Sequence, residues 1–305
     1  MSDALQYIRK CKLVVSSGGS GLDLSTLRIV FKVKKEDAET PNTAEIRVYN
    51  LAEDTANRIK KEFDHVTLEA GYESNNGVIF DGNIKQVLRG RESGTDTFVD
   101  IIAGDGDEAY NYATVNKTLA AGSTQKQQID VAAGEMGSKG VERGYTAQME
   151  DKPLPRGKAM YGMARDYLRR SAQTTETTWS VQDGKLQFVK LTETLPGQAV
   201  VLTSKTGLIG SPEMDDEGMR VQCLLNPMLK IGGKVKIDEG SIQQARLPNT
   251  EEKADANKAP SINADGIYRL LTLEHSGDTR GNEWYSHLTC IDVNASAPAG
   301  KKVKK

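Results

Sequence analysis

Acid–base or metal chemistry would be sought first at His65, His275 and His287, the sequence's three histidines, because imidazole titrates near neutral pH and is a common metal ligand. None stands in HxH or HExxH spacing or beside a cysteine, and metal sites need clustered ligands. His275 and His287 fall on segments that could pair as strands, but no third ligand accompanies them. Half-buried strand positions are the reading for all three. The run Gly104-Asp105-Gly106-Asp107-Glu108 lacks the DxDxDG spacing and terminal Glu of a calcium loop. It reads as a turn, with Asp107 capping a short DEAYNY helix. Glu213, Asp215, Asp216 and Glu217 crowd together, whereas a glycosidase needs two carboxylates opposed across a cleft; a solvated loop is expected there. Gly18-Gly19-Ser20-Gly21 has no lysine to complete a phosphate cradle, and GxSxG, GKS/T and GxGxxG motifs are absent. No catalytic, cofactor-binding or metal-ligating residue is assigned, and the chain is not expected to be an enzyme.

Composition narrows the field further. Forty basic residues against 42 acidic give a net charge of −2, with no general attraction to nucleic acid or anionic lipid. Cys11, Cys223 and Cys290 are widely spaced and odd in number, so they read as reduced core residues and not as a zinc site or disulfide framework. The hydrophobic fraction is 37% and the mean hydropathy is −0.51, low for a compact monomer. Elongated domains, or burial completed against partner subunits, follow from that. The N-terminal MSDALQYIRKCK has no signal-peptide apolar core, and no apolar run reaches the ~18 residues of a membrane span. Assembly in a cytoplasm without membrane insertion is the expectation.

The elements around these residues are mostly strands. In Leu27–Lys34, Leu27, Ile29, Phe31 and Val33 point one way and Arg28, Lys32 and Lys34 the other, the alternation of a half-buried antiparallel strand. Lys12–Ser16 and Thr43–Asn50 alternate likewise. A short helix capped by Glu53 or Asp54 carries Ala56, Ile59 and Phe63. Strands return at Val66–Ala70, Val78–Phe80, Ile84–Arg89 and Thr97–Ala103. Helices are expected over Thr124–Met136 and Lys158–Ala172, the second from the stripe Met160, Met163, Tyr167 and Leu168. Asp183-Gly184 joins Thr178–Gln182 to Lys185–Lys190 as a type I′ hairpin. Met219–Leu225, Lys234–Ile237, Ile267–His275 and Glu283–Asp292 complete a second β region.

The fold class expected is mainly β with an α+β insert: a β domain over 1–115, a mixed α+β domain over 116–198 and a second β domain over 199–294. A polar loop is expected near 249–263 and a disordered tail over 295–305.

Three stretches carry a family resemblance. They are Leu202–Ile237, with GLIGSPE before GMRVQCLLNPMLKIGGKVKI; Gly266–Ile291, GIYRLLTLEHSGDTRGNEWYSHLTCI; and, more loosely, FDGNIKQVLRGRESGTDTFVDIIAGDGDEAYNY. Together they resemble baseplate hub proteins of tailed phages, relatives of late-control protein D and the type VI spike hubs. The resemblance implies two tube-like antiparallel β-barrel domains per subunit. Three subunits would then form a homotrimeric ring with pseudo-sixfold symmetry, joining the tail tube to the central spike around a DNA and tape-measure channel. Implied partners are the tail tube or distal tube-end protein, a separate central spike protein, baseplate wedge proteins and the tape measure protein. DNA would pass without specific binding, and the protein would end in the virion baseplate after assembly in the bacterial host cytoplasm. A tail-tube, tube-initiator or distal-tail ring protein is the alternative, and a tail-associated cell-wall hydrolase a more distant one. Leu224, Leu225 and Met228 around Asn226-Pro227, with Trp284 and Tyr285 on the last hairpin, are the candidate interface residues; core filling competes for the two aromatics.

Overall fold

The computed structural model describes residues 6–150, 152–215, 218–237, 243–244 and 266–292. The polar loop, the tail, Asp216 and Glu217 lie outside the described residues. The protein is mainly β with an α+β insert. Its first β region runs β1 (Arg9–Ser17), β2 (Ser20–Asp23), β3 (Ile29–Glu36), β4 (Thr43–Tyr49), α1 (Glu53–Glu62), β5 (His65–Tyr72), β6 (Asn75–Arg91) and β7 (Thr97–Gly104). The insert holds α2 (Asp107–Tyr112), β8 (Thr114–Leu119), α3 (Gln125–Gly137), β9 (Glu142–Thr146), β10 (Lys158–Met163), α4 (Ala164–Thr174), β11 (Thr177–Gln182) and β12 (Lys185–Lys190). The second β region runs β13 (Val200–Leu202), β14 (Leu208–Asp215), β15 (Gly218–Leu224), β16 (Lys234–Ile237), β17 (Gln243–Gln244), β18 (Ile267–Asp278) and β19 (Trp284–Asp292).

Alternation in β3 works as read: Ile29, Phe31 and Val33 are buried, and Lys32 and Lys34 exposed. The same inward phase also carries Lys35 into the interior, where it is 3% exposed. The two short strands expected at 78–80 and 84–89 are one strand, β6, which bulges at its pairing with β7 between Ile84 and Gln86.

Helix ends depart from expectation in instructive ways. Ala52 is the N-cap of α1, and Glu53 and Asp54 sit in the first turn, opposite Lys60 and Lys61 in the last; that arrangement suits the helix dipole without a side-chain cap. Asp107 does not cap α2, whose N-cap is Gly106; it pairs with Lys85 at 3.0 Å. Thr124 caps α3 in a reciprocal box with Gln127. The helix expected over 158–172 is half strand. Lys158–Met163 pairs antiparallel with β8, and the helix begins only at Ala164. Met160 and Met163 match the helical spacing of Tyr167, but Gly162 at φ 135° and the partner strand hold that half extended.

Both β regions belong to one sheet. Its order is β17-β14-β15-β19-β18-β3-β4-β7-β6-β5-β1-β2, with β16 on β18 and β13 on β16. The sheet also rolls. Trp284, on β19, donates its indole N–H to the carbonyl of Gly71 at the end of β5 (3.3 Å), and Arg9 of β1 donates to the carbonyls of Gly281 and Asn282 at 2.7 and 3.0 Å. Three apolar clusters result. One fills the first β region and takes in Leu225 and Trp284 from the second. One, with Met136, Met160, Leu168, Trp179 and Phe188, fills the insert. The third, with Met219, Val235, Tyr268, Leu270 and Leu288, fills the second β region.

Trp284 is the largest fully buried side chain among the described residues. Its ring stands edge-on to Phe31, centroids 5.4 Å apart. The two rings close over Gly277, where a Cβ would lie 2.5 Å from Phe31 Cζ and 2.8 Å from Trp284 Cε3. Trp284→Ala empties the centre of a core built from both ends of the chain. A loss of about 3–5 kcal/mol is expected, read by urea unfolding of the full chain.

Candidate functional site

The residues that could do chemistry are dispersed. His65, on β5, bonds Asp81 on β6 at 2.9 Å; that hydrogen bond raises the imidazole above its ordinary value, against partial burial. His275 and His287 project to opposite faces. His275 is buried with Nδ1 2.8 Å from Ser286 Oγ, and His287 is exposed across from Glu274. Glu213 lies in strand β14 opposite Arg220 of β15, so the expected acidic loop is partly a strand. Among the described residues no group of three His, Cys, Asp or Glu is placed to hold a metal ion. Cys223 and Cys290 are buried and Cys11 half-buried, all free; burial pushes the thiols of Cys11 and Cys223 up to about 12, which leaves them unreactive.

The candidate interface residues divide. Leu225 and Trp284 serve the chain's own core, which is the reading that competed for Trp284. Leu224 and Tyr285 are half-buried. Met228 is 63% exposed. Its loop is fixed by the Asn226 side chain, which accepts from the Met228 backbone N–H and from Asn75 Nδ2, each at 2.9 Å. Beside Asn75, the backbone N–H of Glu73 donates to the carbonyl of Ile8 at 3.0 Å. Tyr7 and Ile8 are 67% and 66% exposed. Ile8 has φ 55°, a conformation that costs a β-branched residue energy. The two distant segments that carry these three exposed apolar side chains thus both bond the β5–β6 turn or its flank.

The densest polar constellation was not anticipated. It lies where the β11–β12 turn meets the β body. Asp183 and Gly184 have φ 53° and 75°, as a type I′ turn requires. Lys35 pairs with the Asp183 carboxylate, which also takes Lys230 at 2.9 Å. Asp105 accepts the backbone N–H groups of Asp183 and Gly184 at 2.7 and 2.9 Å. Asn42 donates to the carbonyl of Val181 and to Gln182 Oε1, both at 2.9 Å. The GDGDE run is thus more than a plain surface turn: its first aspartate anchors a hairpin. Nearby, Arg269 of β18 reaches the carbonyls of Lys190 and Leu191 at 2.6 and 3.0 Å and pairs with buried Asp37, which also accepts from Thr178 Oγ1 at 3.1 Å. The signal for Lys35 was present as the next inward position after Val33. Asp37 and Arg269 gave none.

Burial sets the electrostatics here. It pulls the Lys35 ammonium down, against Asp183. It pushes Asp183 up, but Lys35 and Lys230 prevail and the net shift is downward. It raises Asp105 to about 6, against the Gly184 N–H and Lys35, and it lowers His275 to about 3, helped by the charge on Lys35.

With this geometry in place, similarity to known proteins decides the family. The family described as "Baseplate hub gp41" matches residues 10–241. The chain belongs to that family. No curated protein matches. Solved structures share the fold at low identity. The 43 kDa tail protein of prophage MuSo2 from Shewanella oneidensis is 8% identical, with TM-score 0.59, over 92% of this chain and 97% of that one. A tail protein from Neisseria meningitidis MC58 is 9% identical, TM-score 0.58, over 96% and 100%. The E. coli c3393 protein, a component of the type VI secretion system, is 12% identical, TM-score 0.55, over 94% and 79%. The family is a structural one of the phage tail, and the polar constellation is read accordingly as architecture.

The buried Asp105 and His275 make opposite contributions to pH dependence. Their unfolded values are about 3.9 and 6.5. Native Asp105 holds its proton up to about pH 6, so its contribution to stability falls as pH rises through about 4 to 6. Native His275 refuses a proton down to about pH 3, so its contribution is lost as pH falls below about 6.5. Between pH 4 and 6, wild-type stability minus that of His275→Gln should rise by about 1.4 kcal/mol per pH unit, and the same difference for Asp105→Asn should fall by about as much. Urea melts across that range read both slopes.

Proposed function

We propose that this protein is the structural hub of a phage baseplate, a homotrimeric ring that joins the tail tube to the central spike and forms part of the channel for DNA and the tape measure protein. The observation that carries this reading is the fusion of two β regions into one rolled sheet within a chain of a baseplate hub family. Three such chains present six β units, which lets a threefold spike meet a sixfold tube. The near-zero net charge suits a conduit that must not hold its cargo. The hub works without catalysis, in contact with the tail tube end, the spike and wedge proteins.

Subunit contact falls on the apolar surface around the β5–β6 turn, with Met228, Tyr7 and Ile8 exposed there. The native mass of the purified full chain tests this directly. A mass of three chains is expected; a stable monomer contradicts the hub, and a sixfold ring points to a tube or distal-tail protein. Met228→Glu should weaken the trimer by about 1–3 kcal/mol while leaving the urea midpoint of the isolated subunit unchanged.

A further inference from the structure

The apolar cluster of the insert shares no residue with the clusters of either β region. Apart from Val189 of β12 and Leu195, which pack beside Gly232, mainly polar side chains hold the insert to the β body. At one end stand Lys35, Lys230, Asn42 and Asp105 around the Asp183-Gly184 turn. At the other stands Arg269 with Asp37, Thr178 and the carbonyls of Lys190 and Leu191. Arg169 and Glu39 close the rim at 2.8 Å, both partly exposed. Buried ion pairs return their desolvation cost only when every polar atom is satisfied. Here, among the described residues, Asp37 Oδ1 and Arg269 Nε have no hydrogen-bond partner. Parting this plane exposes charged groups that water solvates well, whereas parting any of the three clusters exposes apolar surface.

The chain crosses the plane at two places. Between β7 and α2 lies Gly106, with φ 66°; between β12 and β13 lies Gly197, with φ 143° and, among the described residues, nothing within 4 Å of where a Cβ would sit. Glycines at both crossings can absorb the backbone rotation of a hinge.

We propose that residues 107–190 form a separately released unit, which undocks intact from the β body about hinges at Gly106 and Gly197 when its two polar anchors part. The rolled sheet stays closed, and the molecule changes shape without unfolding either β region. This goes beyond the hub reading and does not depend on it.

Amide-resolved hydrogen exchange on the full chain tests the idea. The amides of Asp183 and Gly184 are bonded to Asp105, and that of Leu195 to the carbonyl of Gly232. Undocking frees these three together and leaves the amides within β11–β12 and α4 protected. Arg269→Met, which does not touch the Asp183 turn, should raise exchange at all three by one shared factor of at least tenfold. A rise confined to residues around Arg269, or an equal rise at β11–β12 and throughout the sheet, overturns the proposal. Should Arg269→Met not fold, Arg169→Ala at the exposed rim should give a shared rise of severalfold; no change at the three amides contradicts the proposal equally.

Discussion

One edge of β18 is shared by two partners. Its first residues pair with β16 (Lys236↔Ile267 to Lys234↔Arg269) and its later ones with β3 (Thr272↔Glu36 through Asp278↔Val30). The handover occurs beside Leu271, skipped in the pairing with β19 between Leu270 and Thr272, whose carbonyl accepts the backbone N–H of Asp37. Everything else is arranged around this strand. Through it the two β regions become one sheet. Its continuation into β19 brings Trp284 into the core of the first region, and Arg269, just before the bulge, meets the insert. A bulge of this kind bends and twists a strand, and here it lets one strand serve two β units and an insert.

Local patterning was legible in the sequence; contacts between distant segments were not. The alternation of Ile29, Phe31 and Val33 and the Asp183-Gly184 turn were readable because they depend on neighbours a few residues away. Lys158–Met163 was misread because six residues with Met160 and Met163 at helical spacing fit either state, and only the partner strand β8 decides between them. Trp284 fits a core somewhat better than a surface by residue type alone, but its burial depends on Phe31 and Gly71, far away in the chain. Lys35 was passed over because a lysine in an alternating strand is normally on the wet face. Arg269 and Asp37 stand in no local pattern at all, so their pairing is a product of the tertiary fold.

Charge in this protein is spent on architecture. The outward faces of the sheet are laced by cross-strand pairs such as Arg47–Asp100, Lys32–Glu274 and Lys12–Glu69. Exposed pairs of this type contribute little stability each, but they neutralise the surface. The buried charges define how the insert meets the β body. Three of the candidate acid–base residues are absorbed in the same way: His65 by Asp81, His275 by Ser286, Asp105 by a backbone turn. Such a distribution suits a component that transmits shape between neighbours.

The proposed hub rests on each subunit offering two β units held in fixed relation by β18. Symmetry-resolved imaging of the assembled tail tests that most directly. The account predicts a ring of three copies, each placing both β units around the axis between a sixfold tube and a threefold spike. A ring of six copies, each contributing one β unit, or particles lacking the protein at that junction, would contradict it.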